Sequence, residues 1–366
     1  MNLFVCPACQ QTVHFENSEC TKCHHRLAYL PDRATLTALE PAQDAPEGVF
    51  VALGPIAKRA RYRLCGNQID HGACNWAVPD SEAPEQRFCR ACRLNEIIPN
   101  LSDPQASQAW IKLEQNKRRM LYTLLQLGLP VESRASEPQR GLAFAFKQDL
   151  PGQEKVFIGH EEGLITINIA EADSPFREKT RLELGESYRT LLGHFRHEIG
   201  HYYWERLIAS SPFLEPFRKL FGDERASYEE AVNRHYQNGA PRDWPQRFVS
   251  SYASMHPWED WAESWAHYLH MVDSLDTARS FGLALRPQAG RGDRAKLEVG
   301  TRRLDFDDFD DLEGAWVPLT VALNSLNRSM GLPDPYPFVL PKPALEKIRF
   351  VHQVVEKASA SAEKAA

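Results

Sequence analysis

All eight cysteines of this 366-residue chain fall between positions 6 and 92, and the rest of the chain has none. Cysteines scattered through a core would not segregate in this way, so they serve one region. The stretch "CPACQQTVHFENSECTKC" sets Cys6, Cys9, Cys20 and Cys23 as two CxxC pairs separated by ten residues. Each pair can present two thiolates to one tetrahedral ion, and the spacing predicts a closed structural zinc site. Cys65, Cys74, Cys89 and Cys92 make a second set, with one CxxC pair and one wider pair in "CGNQIDHGAC". His14, His24, His25 and His71 lie close enough in sequence to replace a cysteine, yet eight cysteines divide evenly without them. Iron in a rubredoxin-like site is the alternative metal.

Reading the cysteines as ligands rather than disulfides presumes a reducing compartment. The start "MNLFVCPACQ" lacks the basic, apolar and small-residue segments of a secretory signal, and no run of 18 apolar residues occurs. The chain is therefore expected in the cytoplasm, with no membrane contact. A net charge of −6, a charged fraction of 25% and a mean hydropathy of −0.47 exclude a strongly basic nucleic-acid binder. Nucleic acid stays a minor reading for the ribbons, through the cluster "KRARYR" before Cys65. With 43% hydrophobic residues the chain can bury one sizeable core and a smaller satellite.

Composition divides the chain into a tandem four-cysteine region over 1–100, a regular body over 101–352 and a small, polar tail over 353–366 that is expected to fray. The body opens with a helix after Ser102 or Asp103, entered at Pro104 and stopped by Gly128 and Pro130. Three strands follow in "GLAFAFKQ", "KVFIGH" and "GLITINIAEAD". In the last, Ile165, Ile167 and Ile169 alternate with Thr166, Asn168 and Ala170. Helical spacing then runs from Ser187 to about Ile208, with Tyr188, Leu192, Phe195, Ile199 and Tyr203 on one face. Further helices are predicted over Pro257 to Val272 and Leu312 to Met330. The segment "RPQAGRGDRAKLEVGTRRLDFDDFDD" reads as a loop whose acidic end caps the last of these helices.

The stretch "HFRHEIGHYYW" carries the chemistry. His197 and His201 are four apart, one helical turn, so both can grip one ion from the same face. Glu198, about 100° further round, reaches a water on that ion rather than the ion itself. Zinc lowers the pKa of such a water to about 7, and Glu198 can take its proton as it attacks a carbonyl. Trp204 and Leu207 stand where the longer HExxHxxGxxH pattern needs glycine and histidine, so a third ligand must come from elsewhere. "SYASMHPWEDWAESWAHYLH" offers Glu259 and Glu263 four apart on one helix face, beside an apolar stripe of Trp258, Ala262, Trp265 and Leu269. One carboxylate can bind metal while the other holds a ligating histidine. His194, His267 and His270 read as hydrogen-bonded helix residues, and Asp223, Glu224, Glu229 and Glu230 as surface. The strand "LITINIAEAD" could serve as an edge to which an extended peptide adds.

These motifs resemble the gluzincins, particularly the lethal-factor-like branch. That resemblance implies Glu259 as the third ligand, Glu263 as the carboxylate behind a ligating histidine, and Tyr252 as an oxyanion donor, with His256 a second candidate for that donor. Together with "GLITINIAEAD", "YRTLLGHFRHEIGHYYWERL" and "LNRSMGLPDPYPFVLP", the whole chain resembles a bacterial family of zinc-binding metallopeptidases with an N-terminal zinc-ribbon domain. The expectation is an α+β fold, a zincin-like metallopeptidase domain preceded by a small tandem zinc-ribbon domain. It would hold one catalytic and two structural Zn²⁺ ions and hydrolyse a peptide or protein. The alternative is a non-catalytic, zinc-dependent scaffold for protein or nucleic acid, in which His194 or His267 completes the helix site.

Overall fold

A computed structural model describes residues 2–152, 154–156, 158–183, 190–287, 299–301 and 304–363. The fold is α+β and forms two compact units: residues 1–126 with 130–173, and residues 127–129 with 174–366.

In the first unit, β1 (Phe4–Val5) and β2 (Thr12–Val13) form a hairpin whose turn carries Cys6 and Cys9. An antiparallel sheet follows in chain order: β3 (Arg26–Leu30), β4 (Thr35–Pro41), β5 (Val49–Ala52), β6 (Arg61–Leu64) and β7 (Ala77–Pro79). Its core is made by Leu30, Leu39, Ala52, Tyr62 and Ala77. The Tyr29 amide donates to the Asn75 carbonyl at 2.8 Å, bringing the approach to β7 back beside β3. Between β6 and β7 lies the short helix α1 (Gly66–His71), which begins at Cys65.

The composition boundary near residue 100 falls inside this unit. β8 (Asn95–Ile97), just past the second cysteine set, pairs in parallel with β9 (Ala143–Lys147). The helix α2 (Pro104–Gln126) runs alongside, its first turn capped where Asp103 accepts the Gln105 amide at 2.9 Å. From α2, Tyr122 meets the Phe15 ring at 5.0 Å. Lys117, fully buried, donates to Glu114 and Asn95. These contacts tie 104–173 to the cysteine region more closely than composition suggests.

The remaining strands are β10 (Gly159–Glu161) and β11 (Leu164–Asn168), in sheet order β10-β11-β9-β8. The turn between them has positive φ at Glu162 and Gly163, which suits a two-residue hairpin. Of the two roles open to "LITINIAEAD", a free edge or an ordinary sheet strand, β11 takes the second: β9 pairs along its whole length, and β10 covers Leu164 to Thr166. Ile165 and Ile167 are buried as their alternation predicts, but Ile169 enters a 3₁₀ turn capped by Asn168.

The second unit is mainly helical: α3 (Ser174–Glu183), α4 (Leu191–Leu207), α5 (Leu214–Phe221), α6 (Tyr228–Asn238), α7 (Pro257–Ser280), α8 (Phe309–Ser329) and α9 (Lys342–Glu363). Ser187 and Tyr188 of the expected helix lie outside the described residues, as do 288–298 and 302–303 of the expected loop. On either side of the former stretch, β12 (Ala284–Leu285) pairs with β13 (Val299–Gly300). Asp308 caps α8 by accepting the Asp310 amide at 2.9 Å, and Asp310 and Asp311 fill its first turn, as the acidic run predicts. The tail expected to fray continues α9 to Glu363, since its alanines, glutamates and lysines favour helix. At the centre lies α7, which packs on α4, α8 and α9. Trp261 and Trp265 are fully buried there, with Tyr203 stacked on Trp265 at 4.8 Å.

Candidate metal centre

Two helices build the site. α4 starts where the Thr190 hydroxyl accepts the Gly193 amide at 3.0 Å, and Phe195, Ile199 and Tyr203 face the core. α7 starts at Pro257 with His256 as its N-cap: Nδ1 accepts the Trp258 amide at 3.2 Å, while Nε2–H donates to the Ala226 carbonyl at 3.1 Å. Both ring nitrogens of His256 are thus spent on backbone, and it is not free to assist at an oxyanion. The helices cross closely at Gly200, where a Cβ would lie 3.0 Å from Cα of Ala262. Trp261 Nε1–H donates to the Gly200 carbonyl at 2.8 Å and locks the crossing.

This crossing brings three donor atoms together. Nε2 of His197 and Nε2 of His201 are 3.2 Å apart, and Oε2 of Glu259 is 2.9 Å from the first and 3.6 Å from the second. The circle through these three atoms has a radius of about 1.9 Å, just inside the ~2.0–2.2 Å reach of zinc to nitrogen and carboxylate oxygen. Glu259 Oε2 is buried and accepts no hydrogen bond among the described residues, a costly state for a carboxylate oxygen unless a cation meets it. These residues fit a zinc ion. Among the described residues no further His, Cys, Asp or Glu joins the group, and three protein donors is the number used in catalytic zinc sites. His194 stands outside it. So does His267, whose Nδ1 lies 2.5 Å from the Tyr336 hydroxyl and which burial pushes down to about 4.

The surrounding polar groups orient the donors. His197 Nδ1–H donates to Glu263 Oε1 at 2.8 Å, and Ser250 Oγ–H donates to Glu263 Oε2 at 2.6 Å. A proton held on Nδ1 leaves the Nε2 lone pair facing Glu259 and His201. His201 is held differently: its ring lies against Trp258, centroids 4.3 Å apart, and its Nδ1 has no partner among the described residues. Trp258 therefore belongs to the site rather than to the apolar stripe, and Trp261 takes its place in the core. Burial disfavours charge on both His197 and Glu259. Even so, Glu259 and Glu263 lift His197 well above its usual range, and the two histidines hold Glu259 well below its own.

Glu198 is buried, at 8% exposure. Tyr252 sits with its ring 5.9 Å from His197. Burial and then Glu259 raise the Tyr252 hydroxyl well above its usual range, with Glu198 adding to the effect, so the phenol stays protonated. Tyr228, which sequence reasoning left unmarked in "FGDERASYEEAV", donates to Glu259 Oε1 at 2.8 Å. No spacing rule links residue 228 to residue 259, so only the fold could reveal it. The acids around Tyr228 are engaged elsewhere or exposed, with Glu224 bound to Arg218 and Asp223 to Arg225.

The cysteines assemble as their spacing predicts, in two groups of four. In the first, Cys6 and Cys23 sulfurs are 3.7 Å apart and Cys9 and Cys20 are 3.6 Å apart; in the second, Cys74 and Cys89 are 3.6 Å apart. These are edges of a tetrahedron around an ion about 2.3 Å from each sulfur. Backbone amides of Cys23 and Lys22 pull the Cys20 thiol down to about 6. Burial, and then Cys65, Cys74 and Cys92, push the Cys89 thiol well up. A buried set of four thiolates needs a cation between them. Among the described residues no histidine joins either group, His14 included; His24 pairs with Glu19, His25 with Glu40, and the His71 ring packs on Trp110.

A family model described as "Putative zinc-binding metallo-peptidase" matches residues 106–354, and a zinc-ribbon domain model matches residues 3–103. Uncharacterised proteins of Mycobacterium tuberculosis (strains ATCC 25618 / H37Rv and CDC 1551 / Oshkosh) and Mycobacterium bovis are 43% identical to it over 358 residues, spanning 98% of this chain and 96% of each relative. No solved structure matches. With both models and full-length relatives aligned to it, the chain belongs to the family of zinc-binding metallopeptidases that carry an N-terminal zinc ribbon.

Proposed function

We propose that the chain is a gluzincin-type zinc metallopeptidase of the cytoplasm that cleaves peptide bonds in a peptide or protein substrate. The observation that carries this reading is the meeting of His197 Nε2, His201 Nε2 and Glu259 Oε2 from two helices, with Glu198 buried one residue along. When bound, Zn²⁺ supplies the Lewis acidity that makes water nucleophilic near neutral pH and polarises a scissile carbonyl. Glu198 accepts the proton from the attacking water and returns it to the leaving amine. Tyr252, kept protonated, donates to the developing oxyanion. Glu263 and Ser250 hold His197 in the tautomer that this arrangement needs.

The two cysteine groups each hold a structural Zn²⁺, and the ribbons they fold serve recognition of a protein partner or substrate. Two of the four basic residues of the cluster are engaged within the protein, Arg61 with Asp44 and Arg63 with the carbonyls of Glu82, Ala83 and Pro84, which favours protein over nucleic acid as that partner. A non-catalytic scaffold needs a fourth protein donor at the helix site, and the two histidines suggested for that part stand apart from it.

Glu198→Gln removes the proton acceptor and leaves the ligands in place. It is expected to retain all bound zinc while cleavage falls by about 100-fold or more. Metal analysis and a comparison of new protein termini in cells expressing wild type or the variant test this. Undiminished cleavage by the purified variant defeats the assignment.

A further inference from the structure

We propose that Tyr228 is a positioning residue that restricts Glu259 to one metal-binding oxygen and fastens α6 to the metal centre. The inference rests on the metal-site reading above. The Tyr228 hydroxyl donates to Glu259 Oε1 at 2.8 Å, whereas Oε2 is the oxygen beside both imidazole nitrogens. A carboxylate whose second oxygen is taken by a donor binds an ion through one oxygen. That keeps the protein's share of the coordination at three atoms.

The position of Tyr228 is itself enforced. Ser227 caps α6 by accepting the Glu230 amide at 3.3 Å, so Tyr228 opens the helix. Two residues earlier, the Ala226 carbonyl is held by His256 Nε2–H at 3.1 Å. The His256 ring also meets the Tyr228 ring edge-on, centroids 5.4 Å apart. The same histidine caps α7, whose first turn carries Glu259. One side chain thus fixes the backbone at both ends of the Tyr228–Glu259 hydrogen bond. Elsewhere on α6, Ala231 is the one buried residue and His235 reaches the Tyr252 ring at 6.1 Å, while the Tyr228 ring also meets Trp258 at 6.3 Å.

The test uses the full-length chain with zinc, comparing wild type, Tyr228→Phe and His201→Ala. Tyr228 is 41% exposed, so removing one oxygen leaves the fold intact. In competition with a chromophoric chelator, Tyr228→Phe is expected to bind zinc at the helix site about 10-fold more weakly or worse. Co²⁺ placed at that site alone, with the cysteine sites still holding zinc, should absorb visible light more weakly in the variant. A freed Oε1 would add a fifth ligand, and five-coordinate cobalt absorbs less than four-coordinate. Wild-type affinity together with an unchanged cobalt spectrum overturns the role of Tyr228, while loss of the ion in His201→Ala leaves the site itself standing. Retention of the ion by His201→Ala overturns the metal-site reading and the role of Tyr228 with it.

Discussion

Glu263 lies behind His197 rather than among the three converging donors, yet it decides which face of His197 is available to an ion. Its two oxygens are both occupied, one by the imidazole and one by Ser250, so it cannot swing toward the site. Ser250 lies just before the 3₁₀ turn that precedes α7, and its Oγ accepts the Ala253 amide of that turn at 3.0 Å. Ser250→Ala should leave Glu263 short of one partner and loosen His197. Zinc affinity at the helix site is expected to fall, by up to about 10-fold, with the cysteine-bound ions unaffected. Chelator competition on the purified variant measures it, and an affinity equal to wild type would remove Ser250 from the site. At this scale the convergence of the histidine pair was legible from its spacing alone. Tyr228, Ser250 and the seat of His201 against Trp258 were not, because each depends on a contact between segments far apart in sequence.

Between elements, the close crossing of α4 and α7 sets the geometry. Gly200 sits inside the motif, between the two histidines, and the α7 backbone passes where its side chain would be. Glycine costs a helix interior about 1 kcal/mol relative to alanine, so its presence there reflects the need for room. Gly200→Leu must push the helices apart, at about 1–3 kcal/mol or more, and carry Glu259 away from the imidazoles. The expected outcome is a lower melting temperature together with loss of the helix-site zinc, read by calorimetry and metal analysis. Retention of that ion at wild-type affinity would show that the crossing does not set the donor distances. The packing of Trp265 and Tyr203 was legible as core from helical spacing. That Trp261 rather than Trp258 faces inward was not, since a helix this apolar offers its stripe on more than one side.

For the molecule as a whole, three groups of side chains suited to an ion are divided between two compact units, eight cysteines in one and a mixed histidine and carboxylate set in the other. A mercurial that captures thiolates should release two zinc ions per chain and spare the third. Small segments built around such sites depend on their metal to fold, so protease resistance is expected to fall first in the stretch from Phe4 to Leu30. Release of fewer than two ions would contradict the assignment of both cysteine groups. The compact units divide near residue 173 rather than at the composition change. Composition changes near residue 100, where the cysteines end, but the parallel pairing of β8 with β9 and the buried Glu114, Lys117 and Asn95 network reach across that point.

Local order in the chain was enough to determine the cysteine groups, the helical register of His197 and His201, and the helix start at Pro104, because each follows from neighbours within a turn or a short loop. It could not decide from geometry which of Glu259 and Glu263 meets the imidazoles. The two lie one turn apart on the same face of α7 and are equivalent along the sequence. Only the depth at which α7 crosses α4, set by the missing side chain at Gly200 and the Trp261 hydrogen bond, brings Glu259 level with both Nε2 atoms and leaves Glu263 behind the ring.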